Sequence, residues 1–353
     1  MPFSRFSYSP LFWIPPEVAH WLVIFGLKHG LFPEVREQMP ECLSIQVCHL
    51  RLRTPIGLAA GFDKNAEAIK PLMAMGFGFV EAGTVTKKPQ AGNKRPRLFR
   101  VVDQKAIVNC LGFNNKGIRR LIKKIDNKEL NNLVFGVNLG INKTCTDPPS
   151  EYAELVRSVY GLSSYITINV SSPNTAGLRD LQNRARLAEV LSSVRDARRS
   201  ADQAESVPIF LKIAPDISDE LKQDIADEVV QHKINGLIVS NTTTDLGLLG
   251  SERSVSITHG GLSGRPLFDL STVVLSEMYS LLRDKVVLIG CGGVSSGAQA
   301  LQKIKAGASL VQLYTALVYE GFGVVKKINI ELAELLTQEG FSKVEQAVGA
   351  DVQ

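Results

Sequence analysis

Short apolar runs alternate with amphipathic stretches along most of the chain. The apolar runs are nearly continuous rather than alternating with polar residues, which is typical of parallel strands covered on both faces. The intervening stretches show helical spacing of apolar residues, as in Ile217, Leu221, Ile225 and Val229. The strands predicted in this way are residues 56–60, 79–83, 133–139, 165–170, 209–213, 236–240, 286–290 and 309–313.

Eight consecutive strand–helix units predict a closed (β/α)8 barrel, that is, a TIM barrel. A doubly wound open sheet is the alternative, but such a sheet rarely needs eight successive parallel units. We expect the barrel domain to occupy residues 41–353. Two connections, 84–114 and 241–266, are longer than ordinary strand–helix loops, and long loops at this end of a barrel are commonly functional.

Residues 1–40 predict a small amphipathic helical hairpin that precedes the barrel. A helix is expected after Pro15 and Pro16, with Trp21 and Phe25 among its apolar residues, and residues 33–34 would begin a second short helix. No run reaches the roughly 18 apolar residues that a bilayer-spanning helix needs. The formal charge of this segment is zero, so we expect peripheral lipid contact through apolar side chains.

Composition favours a globular enzyme. Hydrophobic residues make up 44% of the chain and charged residues 21%, and the net charge of +5 does not by itself indicate nucleic-acid binding. The five cysteines are scattered without a Cys-x-x-Cys pair, which argues against a zinc or iron–sulfur site and against a disulfide framework. We expect a monomer that binds neither metal nor nucleic acid.

Polar residues and glycines follow almost every predicted strand. The richest stretch runs from Asn169 to Asn174, where Ser172 could move a proton and the two asparagines could hold a flat polar ligand. A polar turn closed by proline is the alternative reading of this stretch alone. Comparable positions after the other strands hold Ala60 to Lys64, Thr84, Asn138, Lys212, Asn241 to Thr243, Gly290 to Gly293, and Tyr314 to Ala316.

Lys212 and the glycines after the seventh strand point to a cofactor. A lysine inside a barrel strand normally needs an anionic partner. Gly292 and Gly293 leave backbone N–H groups free to approach a phosphate, and the loops after strands seven and eight commonly bind one. A phosphate-bearing cofactor with a lysine near its ring favours flavin mononucleotide, FMN.

Several ordered motifs resemble those of the dihydroorotate dehydrogenases, in particular the membrane-associated, quinone-dependent class 2. The resemblance runs from about residue 12 to 337. Ser172 stands where the soluble class carries a cysteine base, and soluble members lack the N-terminal segment. Cys110-Leu111 departs from the commoner pair, which contains Arg or Lys. The motifs are Leu58-Ala-Ala-Gly-Phe-Asp-Lys64, Asn109-Cys-Leu-Gly-Phe-Asn-Asn115, Ile168-Asn-Val-Ser-Ser-Pro-Asn-Thr175, Leu211-Lys-Ile-Ala-Pro-Asp216, Ser240-Asn-Thr-Thr243, Gly260-Gly-Leu-Ser-Gly-Arg-Pro266 and Pro16-Glu-Val-Ala-His20.

This resemblance implies oxidation of (S)-dihydroorotate to orotate in pyrimidine (UMP) biosynthesis, with FMN as hydride acceptor and a membrane quinone as final acceptor. Ser172 would remove the C5 proton, helped by a water that Thr175 holds beside Phe113. The implied substrate-binding residues are Lys64, Asn109, Cys110, Leu111, Gly112, Phe113, Asn169, Asn174, Asn241 and Thr242. The implied FMN-binding residues are Ala60, Gly61, Phe62, Asp63, Lys64, Thr84, Asn138, Asn169, Lys212, Ser240, Gly264, Gly293, Tyr314 and Thr315. The implied quinone-site residues are His20, Arg100 and Tyr314.

Two other classes of function fit part of the pattern. A transfer-RNA dihydrouridine synthase is also a flavin barrel, but it uses a cysteine acid and a C-terminal RNA-binding domain. A non-catalytic flavin-binding or membrane-adaptor protein would not need Ser172 and Lys64 beside several asparagines. We expect the protein at the cytoplasmic face of a bacterial inner membrane, or alternatively at the mitochondrial inner membrane after processing.

Overall fold

Eight parallel strands close into a barrel in the computed structural model of the protein, which describes residues 10–32, 39–202, 206–252 and 258–352. In chain order the strands are β1 (Ile45–Val47), β2 (Leu50–Leu52), β3 (Ile56–Leu58), β4 (Phe79–Val85), β5 (Leu98–Val101), β6 (Ala106–Asn109), β7 (Phe135–Leu139), β8 (Tyr165–Asn169), β9 (Ile209–Ile213), β10 (Gly236–Val239), β11 (Gly261–Gly264), β12 (Val287–Cys291) and β13 (Leu310–Leu313). The α-helices are α1 (Pro16–Lys28), α2 (Ile69–Ala74), α3 (Ile118–Ile125), α4 (Pro148–Val159), α5 (Arg184–Ala201), α6 (Asp219–Gln231), α7 (Phe268–Leu282), α8 (Gly297–Lys305), α9 (Thr315–Glu320) and α10 (Gly323–Gln338).

The barrel strands follow one another around the ring in the order β3, β4, β7, β8, β9, β10, β12 and β13, and β13 pairs with β3 to close it. Every neighbouring pair is parallel. All eight predicted strands are therefore present, and the predicted (β/α)8 barrel is confirmed. Their ends differ from the prediction by at most two residues, and β9 has the predicted bounds.

Large rings fill the amino-terminal end of the barrel interior. Tyr165 lies between Phe79 and Phe210, with ring centroids 6.2 and 5.4 Å away. Glycines on adjacent strands make room for these rings, since a Cβ on Gly57 would lie 2.3 Å from the ring of Phe79. A Cβ on Gly136 would lie 2.2 Å from the ring of Tyr165. This packed layer closes one end of the barrel and leaves the other end for polar side chains.

Helix starts follow local signals in the sequence. The side chain of Asp147 accepts a hydrogen bond from the backbone N–H of Ser150 at the start of α4, and Ser218 and Ser296 cap α6 and α8 in the same way. These caps satisfy N–H groups that have no partner inside the helix. They fix where each helix begins after its strand.

The sequence had suggested that the two long connections, 84–114 and 241–266, are loops, but the structure shows strands in both of them. Each contributes to a three-stranded antiparallel sheet in the order β11-β6-β5. The strands β5 and β6 come from 84–114, and β11 comes from 241–266. Strands of four residues in two segments far apart in the chain stabilise each other only once they pair. The sheet has a small apolar core of its own, formed by Val101, Ala106, Val108, Leu246, Leu249 and Leu262.

The predicted first helix of the N-terminal hairpin is α1, which begins at Pro16. The predicted second helix at residues 33–34 lies outside the described residues. Trp13 is 80% exposed and Trp21 is 60% exposed, although both are large and apolar. Within the described ranges, no helix is both long and apolar enough to cross a membrane.

Candidate active site

A cavity of about 470 Å³ opens where the carboxyl ends of the barrel strands meet the small β5–β6–β11 sheet. Most of the predicted site residues line it, although they come from all parts of the chain. The predicted residues in its wall are Ala60, Gly61, Lys64, Thr84, Asn109, Leu111, Gly112, Phe113, Asn169, Ser172, Asn174, Lys212, Ser240, Asn241, Thr242, Gly264, Gly293, Tyr314 and Thr315.

Several predicted residues lie behind this wall. The Asp63 carboxylate accepts hydrogen bonds from the backbone N–H groups of Glu67 and Ala68, at 2.8 and 2.7 Å, and so fixes the turn before α2. The Cys110 thiol donates to the carbonyl oxygen of His259 at 3.2 Å. Both side chains thus hold neighbouring backbone and do not face the cavity. Phe62, Asn138, His20 and Arg100 also lie outside the wall.

Ser172 lies beside a pair of amides. Asn174 donates through Nδ2 to the Oδ1 of Asn109 at 2.9 Å, which joins the loop after β8 to the end of β6. The backbone N–H of Asn174 donates to Ser172 Oγ at 3.3 Å. No carboxylate or imidazole among the described residues hydrogen bonds to this hydroxyl. Ser172 therefore has a donor directed at its oxygen and a hydroxyl proton free to point elsewhere.

A chain of amides crosses the barrel below the cavity. Asn138 donates through Nδ2 to Glu81 Oε1 at 2.7 Å, so its Oδ1 is left to accept from Thr84 and from Asn169 Nδ2, at 2.6 and 3.2 Å. The Oδ1 of Asn169 in turn accepts from Asn241 Nδ2 at 3.2 Å. A carboxylate can only accept, so Glu81 fixes the orientation of each amide that follows.

Glu81 and Gln312 were missed in the sequence, although both are fully buried and Gln312 Nε2 donates to Glu81 Oε2 at 2.8 Å. The available signal was a carboxylate and an amide inside otherwise apolar strands. Such groups are costly to bury unless they are hydrogen bonded to each other.

Lys64 lies half-buried at the cavity wall, where its Nζ donates to the carbonyl oxygen of Gly61 at 2.6 Å. The pKa of Lys64 is lowered to about 8, mainly by burial and also by the nearby Arg97, while Glu17 and Asp63 act in the opposite direction. Near neutral pH most of the Lys64 population therefore remains cationic and can attract an anionic ligand.

Lys212 extends from β9 into the same cavity and is 5% exposed. Its ammonium forms no hydrogen bond or ion pair within the described part of the chain, and a buried cation of this kind calls for an anionic or electron-rich ligand. Glycines also line this cavity. Gly293 has a φ of 76°, and a Cβ there would lie 2.5 Å from Phe268. This donor set fits a cofactor with a phosphate and a ring that gains negative charge.

The predicted quinone residues come from three elements: His20 lies in α1, Arg100 in β5, and Tyr314 directly after β13. The ring of His20 meets Phe62 edge-on with centroids 5.3 Å apart, and Phe62 meets Tyr314 in the same way at 5.5 Å. Burial lowers the pKa of His20 to about 3, so its imidazole is neutral at physiological pH. The guanidinium of Arg100 donates to the carbonyl oxygen of Ile14 at 3.0 Å and fastens the segment before α1. A continuous set of rings thus links α1 with Tyr314 in the cavity wall.

Comparison with known proteins agrees with this geometry. The family model for dihydroorotate dehydrogenase matches residues 42–336. The chain belongs to the dihydroorotate dehydrogenase family. The family and its quinone-dependent class, both predicted from the motifs, are confirmed by relatives that match almost the full chain.

Two curated relatives illustrate the similarity. The dihydroorotate dehydrogenase (quinone) of Rhodopseudomonas palustris (strain TIE-1) is 45% identical over 351 residues, covering 99% of this chain and 96% of its own. The mitochondrial dihydroorotate dehydrogenase (quinone) of Oryza sativa subsp. japonica is 44% identical and covers 97% of this chain and 79% of its own. Among solved structures, the ligand-free DHODH of Eimeria tenella superimposes with a TM-score of 0.90 at 40% identity, over 96% of this chain and 99% of its own.

Proposed function

We propose that the protein oxidises dihydroorotate to orotate and passes the two electrons, by way of bound FMN, to a membrane quinone. The observation that carries this proposal is the convergence of Ser172, Asn109 and Asn174 with Lys64 and Lys212 on one cavity. The Lys64 cation and the three polar groups suit a substrate that has a carboxylate and a ring containing amide groups, and Lys212 suits the ring of the cofactor.

FMN, when bound, would accept the hydride from C6 of the substrate and pass the electrons on to quinone. Lys212 would lie near its ring and favour the negative charge of the reduced form. The backbone around Gly264 and Gly293, with Thr315, would surround its phosphate. The cavity volume of about 470 Å³ is within the usual range for sites of this kind.

Ser172 is the group that takes the C5 proton in this proposal. The backbone N–H of Asn174 stabilises negative charge as it develops on Ser172 Oγ. A serine hydroxyl is a weak base, so the proton must pass onward. Thr175 Oγ1 is buried without a hydrogen-bond partner among the described residues, which makes it available to the water of such a relay.

The quinone would reach the cavity along α1. His20, Phe62 and Tyr314 provide an apolar, aromatic route from this helix to the cavity wall. A neutral His20 and the aromatic rings suit an uncharged acceptor with a hydrophobic tail. The exposed apolar side chains of residues 10–32 would rest on the membrane surface from which the quinone comes.

The first test is anaerobic addition of dihydroorotate to the purified yellow protein, which should bleach the flavin absorbance. Substitution Ser172→Ala should retain bound flavin but slow this reduction by roughly 100- to 10,000-fold, the usual effect of losing a general base. The absorbance spectrum of the purified variant measures its bound flavin, and stopped-flow absorbance measures the rate of flavin reduction. Ser172→Cys should recover part of the rate because a thiol loses its proton more readily. Reduction of the Ala variant within a few-fold of the unmodified protein would exclude Ser172 as the base.

A further inference from the structure

Arg97 joins α1 to the loop that precedes β5. Its guanidinium is buried, with the side chain 5% exposed, and donates to Glu17 Oε1 through Nη2 at 2.8 Å and through Nε at 3.1 Å. The remaining nitrogen, Nη1, donates to the carbonyl oxygens of Ala91 and Asn93 at 2.6 and 2.9 Å. One side chain therefore fixes α1 and the 91–93 turn relative to each other.

Asn93 carries this connection to the substrate side. Its Nδ2 donates to the carbonyl oxygens of Cys110 and Asn174, at 2.9 and 3.3 Å, and its backbone N–H donates to the carbonyl of Leu111 at 3.0 Å. The backbone N–H of Cys110 also donates to the carbonyl oxygen of Arg97 at 2.8 Å. The turn at 91–93 is thus bonded to both loops that flank Ser172.

The Arg97 guanidinium, the 91–93 turn and the backbone at Leu111 are closely packed. A Cβ on Gly92 would lie 2.6 Å from Arg97 Nη1 and 2.3 Å from the carbonyl oxygen of Leu111. A shift of the guanidinium must therefore move the turn, and the turn must move the loop at 109–113. Asn174, the next residue in this path, donates to Asn109 and to Ser172 Oγ.

We propose that Arg97 is a positioning residue that couples α1 to the dihydroorotate pocket through its ion pair with Glu17. The helix on the quinone side and the loops on the dihydroorotate side then form one mechanical unit. This inference rests on the proposed function, because it assigns the two ends of the unit to its two substrates.

The burial of this ion pair distinguishes it from its neighbour. Arg95 also contacts Glu17, with Nε 3.0 Å from Oε2, but its side chain is 73% exposed. Exposed ion pairs contribute little, whereas breaking a buried pair leaves an uncompensated charge. Arg95 is therefore a matched control, since it shares the partner and lies two residues away.

Both members of this ion pair also affect the pKa of Lys64. Burial is the main reason that the pKa of Lys64 falls to about 8, and the charge of Glu17 opposes that fall. Removing the Glu17 charge should lower the pKa of Lys64 further. The alkaline limit of dihydroorotate binding should then move to lower pH, an effect that loosened packing alone would not produce.

The experiment compares Glu17→Gln and Arg95→Gln in the full-length, flavin-loaded protein, with dihydroorotate as donor and a small water-soluble dye as acceptor. Glu17→Gln should raise KM for dihydroorotate by about tenfold, within the usual range of coupling between sites, and leave kcat within about threefold. Arg95→Gln should change KM by less than about twofold. Flavin content and the thermal unfolding midpoint verify that each variant is folded.

Hydrogen exchange gives a second readout that does not depend on turnover. Coupling is reciprocal, so orotate should slow amide exchange in residues 16–28 of the unmodified protein and of Arg95→Gln. The same protection should be lost in Glu17→Gln and in Asn93→Ala, because each removes one link of the path from α1 to the loops beside Ser172. The coupling would be overturned if Glu17→Gln left KM for dihydroorotate unchanged. The proposed function would be overturned if dihydroorotate failed to bleach the flavin of the unmodified protein.

Discussion

At the scale of single residues, Lys64 is a group of the site whose pKa lies close to physiological pH. Its pKa of about 8, compared with the ordinary 10.5, results first from burial. A lysine with a lowered pKa is cationic below that pH and becomes neutral above it. The attraction of Lys64 for an anionic substrate should therefore be complete near pH 6 and decrease as the pH rises through 8.

Orotate binding should reveal this ionisation. We expect the Kd for orotate to be constant below about pH 7 and to rise above pH 8, because the free enzyme loses the Lys64 charge. Equilibrium titration of the flavin spectrum with orotate measures the effect apart from proton transfer to Ser172. Lys64→Arg should remove the pH dependence up to about pH 10, since guanidinium keeps its proton. A Kd that stays flat from pH 7 to 9.5 in the unmodified protein would contradict this role.

At the scale of elements, β4 carries Glu81, the carboxylate that orients the amides of Asn138 and Asn169 below the cavity. Glu81 is fully buried in this strand and accepts hydrogen bonds from Asn138, Gln312 and Tyr165. The amides that follow depend on a partner that can only accept. A strand in the barrel wall thus determines which atoms Asn138 and Asn169 present above it.

Glu81→Gln should disturb that orientation, because a glutamine amide can donate to Asn138 as well as accept from it. We expect the free energy of unfolding to fall by about 1–3 kcal/mol, the scale of hydrogen bonds to charged groups, and orotate affinity to weaken several-fold. Denaturant unfolding and orotate titration measure the two effects. Tyr165→Phe is the control, since it removes one donor to Glu81 Oε2 and leaves Asn138 in place. Equal loss of orotate affinity in both variants would mean that Glu81 only supports the barrel.

At the scale of the whole molecule, we propose that the exposed apolar side chains of residues 10–32 hold the protein on a lipid surface. Trp13, Trp21 and Phe25 are 80%, 60% and 45% exposed. Trp21 and Phe25 also stack on each other, with centroids 5.5 Å apart. Apolar area of this kind supports reversible binding at a lipid surface.

The double substitution Trp21→Ala and Phe25→Ala should weaken vesicle binding by at least about tenfold, since burying each ring contributes about 2 kcal/mol as an upper estimate. Binding should change little with salt because it rests on apolar contact. Cosedimentation with vesicles measures the affinity for lipid and its salt dependence. Flavin reduction by dihydroorotate should remain intact in the double variant. Val273→Ala, which removes an apolar side chain that is 55% exposed on α7, is the matched control. Strong release of the unmodified protein by salt would show that charge, not apolar contact, holds it on lipid.

The sequence by itself determined the barrel and most of the cavity wall. Nearly continuous apolar runs identified every barrel strand, because parallel strands covered on both faces must be apolar along their length. The carboxyl ends of those strands meet at one end of a closed barrel, so residues such as Lys212, Asn241 and Tyr314 could be grouped without coordinates.

Only the tertiary structure decided which polar groups hold each other. The β5–β6–β11 sheet pairs segments about 150 residues apart, as between Asn109 and Gly261, and no local pattern encodes that pairing. The partners of Glu81 come from three different strands, and Glu17 meets Arg97 across 80 residues. Hydrogen bonds and ion pairs depend on distances of a few ångströms, which the periodicity of a sequence does not contain. The wall of the site follows from the order of the strands, whereas the contacts that orient it exist only after the chain has folded.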